Sequence, residues 1–212
     1  MNSRKTTPKV RDGQVQKKNR HAPTRLNSLS VGIGGGGGRL VTTKEDVWKF
    51  VRLIPDWKRV SSDLDLIYLD AGVIEEADGW YESPEQPTIA LSAFEDDLRI
   101  YPGQDYFDQH QSLFKRLGVD IQEDEHGYPV CQFDEDSAKA FQLLHILLHE
   151  LGHHHYRITR GRGRSTGDEK YAENYAFKME RKIWKRYCQA FDFKPNNSEQ
   201  DSARQSTTRS VV

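Results

Sequence analysis

His149-Glu150-Leu151-Gly152-His153 and, further along, Asp168-Glu169-Lys170-Tyr171-Ala172-Glu173-Asn174-Tyr175-Ala176 are the stretches from which the reading of the whole chain proceeds. The first has the pattern HExxH. Four residues along a helix advance the chain by about 6 Å and turn it by about 40°, so both imidazoles leave one face and converge on a single ion. Glu150, beside the first histidine, projects next to that ion, where it can take a proton from water without binding the metal. A random chain of this length shows the pattern about once in fifty, so its surroundings must carry part of the argument. Here it falls in an amphipathic helical run, with Leu144, Leu147, Leu148 and Leu151 on the apolar side. Gly152 costs about 1 kcal/mol relative to Ala inside a helix, which implies a close backbone neighbour at that point.

A tetrahedral zinc site needs a third protein ligand and one open position. Glu169 and Glu173 are four residues apart on the next helix and share a face with Ala172 and Ala176. That small-residue side can press against the HExxH helix while one carboxylate reaches the ion. The other can hydrogen-bond a ligand imidazole from behind. His145, His149 and His153 also form a stripe, but the outer pair is separated by about 12 Å of helix, so all three cannot bind one ion. The pair His145 and His149 has Ile146 where a base would stand, and His145 is read as a core or supporting residue. His154 and His155 read as groups near a helix end, and His110 and His126 carry no motif.

Working outward, Thr43 with Asp46 marks a helix start, and Val47, Phe50, Val51 and Ile54 form a stripe ended by Pro55. Leu66 to Leu69, Trp80-Tyr81 and Thr88-Ile89-Ala90-Leu91 read as strands separated by Gly79, Pro84 and Pro87. Tyr106 to Leu117 repeats at helical spacing and stops at Gly118, Tyr128 to Phe133 reads as a short strand, and helices follow over 135–155 and 168–191. The expected class is α+β, a small, mainly antiparallel sheet under two long helices.

The chain has 31 Lys plus Arg against 32 Asp plus Glu, which excludes a uniformly basic coat for nucleic acid. Charge is unevenly placed, at +8 over residues 1–40, −14 over 41–148 and +5 over 149–212. Residues 1–40, with Pro8, Pro23, the run Gly34 to Gly38 and no aromatic, read as a disordered basic arm ending in a glycine hinge. Residues 41–194 read as the folded domain and 195–212 as a polar tail. Cys131 and Cys188 have no close partner and suit reduced thiols. No run of about 18 apolar residues and no secretory signal appear, so a cytoplasmic protein without a membrane span is expected.

HELGH followed by a helix reading Glu-x-x-Ala-acid-x-aromatic-Ala resembles the gluzincin metallopeptidases, and among them the ImmA/IrrE-type group. Gly79-Trp80-Tyr81-Glu82-Ser83 and Thr88-Ile89-Ala90-Leu91-Ser92 resemble that group's strand pair ahead of the active helix. The similarity runs over about residues 45–190, without the segment from Glu95 to Phe133. It implies a zincin-like domain with Zn2+ on His149, His153 and Glu169, and Glu150 as catalytic base. Glu173 stands where the group usually has Asn or Asp, as the alternative ligand or as the support of one. The resemblance also implies that Thr88, Ile89, Ala90, Leu91 and Ser92 offer a sheet edge for an extended substrate.

The expectation is therefore hydrolysis of a protein or peptide by an activated water, with Tyr171, Tyr175, His154 and His155 as candidate donors to the oxyanion. Two histidines and a carboxylate also suit non-haem iron(II), but a carboxylate that follows both histidines, with every ligand on a helix, favours the zinc hydrolase. The alternative of another class is a non-catalytic, zinc-stabilised binding or regulatory protein acting through its basic arm and the Arg-Gly loop of Arg157, Arg160, Arg162 and Arg164. Glu150 argues against it, since a structural site has no use for a base. Nucleic acid as a partner is weakly supported, because the basic segments lack interleaved aromatics and the middle of the chain is acidic.

Overall fold

Val31, Ile67, Leu69, Ile89 and Leu91 lie in neighbouring strands and are all buried. The computed structural model describes residues 10–11, 14–15, 29–72, 78–82, 86–160 and 168–194. The remainder of the basic arm, the polar tail 195–212, and Arg162 and Arg164 of the Arg-Gly loop lie outside the described residues. In the arm, β1 (Val10–Arg11) pairs antiparallel with β2 (Gln14–Val15).

The main sheet contains β3 (Ser30–Ile33), β4 (Leu66–Asp70), β5 (Gly79–Glu82) and β6 (Thr88–Ser92), in the spatial order β3-β4-β6-β5. This corrects the expectation of a mainly antiparallel sheet. β3, β4 and β6 run parallel, and β5 alone runs antiparallel, against β6. All five residues of β6 are buried, as a strand covered on both faces requires. Because β6 is paired on both sides, Thr88, Ile89, Ala90, Leu91 and Ser92 are not a sheet edge; the edges are β3 and, next to β6, β5.

β3 also moves the domain boundary, since Ser30–Ile33 lies inside the segment read as a disordered arm. Ser30 to Ile33 pair in register with Leu66 to Leu69, and Val31 is buried. The glycines that follow are held by β4. Gly34 N donates to Leu69 O and Gly38 N to Ala71 O, both at 2.8 Å. A Cβ on Gly36 would stand 2.1 Å from the Ala71 carbonyl oxygen, so this position is glycine because it lies against backbone.

α1 (Lys44–Val51) and α2 (Trp57–Val60) form the crossover from β3 to β4. α1 opens on the expected capping box, in which Thr43 and Asp46 each accept from the other's backbone N–H at 3.1 Å. Beyond β6, a second sheet of order β7-β9-β8 is fully antiparallel, built from β7 (Arg99–Ile100), β8 (Asp120–Glu123) and β9 (Pro129–Gln132). Between β7 and β8, α3 (Gln104–Leu117) ends at Gly118, whose φ of 78° is the left-handed cap expected there.

The two long helices carry the candidate residues. α4 (Glu135–Phe141) starts on an Asp134–Ser137 capping box and continues through a π-helical turn, Gln142–Ile146, into α5 (Leu147–Arg160). α5 packs on β5 and β6 and, most extensively, on α6 (Asp168–Phe191). Leu144, Leu147, Leu148 and Leu151 face the core, where Tyr187 of α6 meets Phe50 of α1 edge-on at 6.0 Å. No helix among the described residues is long and apolar enough to cross a membrane.

Candidate metal centre

The close neighbour inferred for Gly152 is Ala172: a Cβ on Gly152 would lie 2.7 Å from Ala172 Cα. This contact sets α5 and α6 near enough for residues one turn away to share an ion. His149 Nε2 is 2.9 Å from Glu169 Oε1, His153 Nε2 is 3.4 Å from Glu169 Oε2, and the two Nε2 atoms are 3.1 Å apart. Donors about 2.0–2.2 Å from a tetrahedral zinc stand roughly 3.3 Å from one another, so the spacing suits a small divalent cation.

Tautomers sharpen this. His149 Nδ1 lies 2.9 Å from Glu173 Oε2, and His153 Nδ1 lies 3.1 Å from Asp168 Oδ1. The first is a hydrogen bond to a group that only accepts, so His149 Nδ1 carries a hydrogen and its Nε2 is turned toward Glu169; the second is an ion-pair distance without hydrogen-bond alignment. Two imidazole nitrogens and a carboxylate thus face one point, at a spacing that a bound cation would satisfy. His149, His153 and Glu169 could therefore hold a metal ion. Glu169 is 76 % exposed at its side chain and reaches the point from the open side, whereas Glu173 is 12 % exposed and stands behind His149.

Electrostatics follow from these contacts. Burial pulls the His149 imidazole down, but the Glu173 hydrogen bond and the carboxylates of Glu150, Glu169 and Glu173 outweigh it and raise its pKa. Burial pushes Glu173 up, yet hydrogen bonds from His110 and His149 hold it well below the usual carboxylate range. Glu150 is buried, and desolvation first, with Glu169, Asp168 and Asp78 nearby, pushes its carboxyl up to about 7 against the pull of His149. His149, Glu150, Glu169 and Glu173 line one cavity of about 1220 Å³ that extends past Tyr106 and His110 to Arg99 and Tyr101.

Other candidates lie elsewhere. His154 is buried rather than solvent-facing, because α5 runs on to Arg160. Its Nε2 donates to Ser62 O at 2.9 Å and its Nδ1 accepts from Tyr81 Oη at 3.1 Å, and burial pulls its pKa down to about 4. Tyr171 Oη donates to His155 Nδ1 at 2.7 Å, and the His155 ring stacks on Tyr171 and Tyr175, on the side of α6 that faces Arg59. Tyr171, Tyr175, His154 and His155 do not line the cavity, and the polar contacts of His154, His155 and Tyr171 are made with these other partners rather than with His149, His153 or Glu169.

The sequence reading missed Asp168, His110, Tyr106 and Asp78. His110 Nε2 is 3.0 Å from Glu173 Oε1, and Tyr106 Oη donates to Asp78 Oδ2 at 2.9 Å. Asp168 directly precedes Glu169, and that adjacency was the available signal; α3, which carries His110, has no spacing relation to the motif. Comparison with protein-family models, with curated proteins and with solved structures finds no match to this chain.

Proposed function

We propose that the protein is a zinc-dependent metallopeptidase of the ImmA/IrrE type, with His149, His153 and Glu169 as zinc ligands and Glu150 as general base. One observation carries the reading: three possible ligand atoms converge at 2.9–3.4 Å, a carboxylate stands behind each histidine, and a buried glutamate outside that trio lines the cavity beside His149 and Glu169. A binding module needs the first two features and has no use for the third.

Bound zinc supplies Lewis acidity, activating water near neutral pH and polarising a carbonyl. The protein does the rest. Glu173 fixes His149 in the tautomer that exposes Nε2, and the Asp168 carboxylate stands behind His153. Glu150, buried in the cavity wall, would accept the proton of the attacking water and return it to the departing amine, with no covalent intermediate. An extended peptide would pair its backbone with the edge strand β5, which adjoins α5 through Gly79.

The test is metal content by mass spectrometry together with cleavage of a protein or peptide library, for the parent and for Glu150→Gln. The hydrolase reading expects one zinc at this centre in both and cleavage by the parent alone. Equal behaviour of both proteins toward every substrate, with zinc retained, would point to the non-catalytic binding protein.

A further inference from the structure

A second grouping of possible ligand atoms lies on the other side of Glu173. His110 Nδ1 lies 2.7 Å from the Tyr106 carbonyl oxygen, which can only accept, so the ring hydrogen is on Nδ1. Its Nε2 stands 3.0 Å from Glu173 Oε1, a separation that a shared proton or a bound cation spans. His145 completes the group. Its ring meets that of His110 at 4.5 Å, and its Nε2 is 3.9 Å from Glu173 Oε2. One donor atom from each of His110, His145 and Glu173 lies within 4.8 Å of the others. Both histidines are 2 % exposed, and all three residues line the cavity, which provides an entry path and an open coordination position.

The helix is shaped to deliver His145. The π-helical turn Gln142–Ile146 inserts a wide turn before the HExxH motif, and such turns re-aim side chains at functional sites. It is pinned by Gln142, whose buried Nε2 donates to Ser92 O at 2.7 Å. We propose that His110, His145 and Glu173 form a second divalent-cation site, joined to the first through the Glu173 carboxylate and the His149 ring. Two imidazoles and one carboxylate select a first-row transition ion over calcium or magnesium.

The full chain, free of any histidine tag, is stripped with chelator and titrated with Zn2+ against a chromophoric chelator. The parent is expected to bind two equivalents at micromolar free metal. His153→Ala is expected to keep one. His110→Phe, whose ring fills the space beside Tyr106 and Phe177, is also expected to keep one, and the double variant none. His145→Phe, stacking on Phe141, removes the same equivalent independently, with circular dichroism and melting to verify the fold. Fewer than two equivalents in the parent overturns the proposal, as does a His153→Ala variant that binds none. Two equivalents surviving in both His110→Phe and His145→Phe overturns it too, and leaves a proton between His110 and Glu173. Because His153→Ala reports on the first centre alone, failure of the hydrolase reading is distinguished from failure of this one.

Discussion

Glu150 sits against Gly79, and the carboxyl that desolvation holds near 7 has a consequence for stability as well as for chemistry. A carboxyl whose folded pKa is raised binds a proton in the native state between about 4.5 and 7 that the unfolded chain does not, so its contribution is lost as pH rises through that window. Metal-free Glu150→Gln is therefore expected to melt above the metal-free parent at pH 8 and to lose that advantage by pH 5. With metal present, the same variant is expected to lose about 10²–10⁴-fold in peptide hydrolysis at unchanged zinc content. Asp168→Asn removes the carboxylate behind His153. It is expected to weaken zinc binding by about 10–100-fold in a competition titration, with little change in the melting of the metal-free protein. His149, Glu150 and His153 were grouped by helical spacing alone, whereas spacing left Glu169 and Glu173 as alternatives and only the family resemblance ranked Glu169 first. His110 was not legible, because its relation to Glu173 exists only once α3 is laid across α6.

At the level of the elements, the contact of Gly152 with Ala172 fixes how closely α5 and α6 approach. Gly152→Ala gains about 1 kcal/mol of helix propensity but drives a methyl to within 2.7 Å of Ala172 Cα. The net expectation is a loss on the order of 1–3 kcal/mol in denaturant unfolding of the metal-free protein, together with weaker metal binding, since Glu169 rides on the displaced helix. The glycine's helical context announced this approach before any coordinates. The sheet was less readable. β4 and β6 were recognised as strands, but their direction depended on β3, which sits in a segment whose composition suggests a tail. A strand buried on both faces also looks the same in sequence whether its neighbours run with it or against it. The π-helical turn left no trace either, since it adds a residue to a turn without interrupting the apolar stripe.

For the molecule as a whole, two buried neutral histidines set an acid limit. Burial pulls His145 to about 3 and His154 to about 4, both below the usual 6.5. A histidine with a depressed folded pKa is protonated first in the unfolded chain, so the stability it contributes is present above about 6.5 and is lost as pH falls toward 4. Metal-free Glu150→Gln, which lacks the opposing glutamate, is expected to lose on the order of a few kcal/mol over that interval, steeper than the parent, by urea unfolding at a series of pH values. At neutral pH, EDTA is expected to lower the melting temperature, since a ligand at a thousand times its Kd stabilises a fold by about 4 kcal/mol. The N-terminal strand has one more implication. A shortened gene starting at Val41, where the basic segment ends, would strip β3 and its glycines and bare one flank of β4 along Leu66 to Asp70. That flank would become a template for intermolecular pairing. Light scattering should find such a fragment clumping, while one starting ahead of Leu29 stays dispersed.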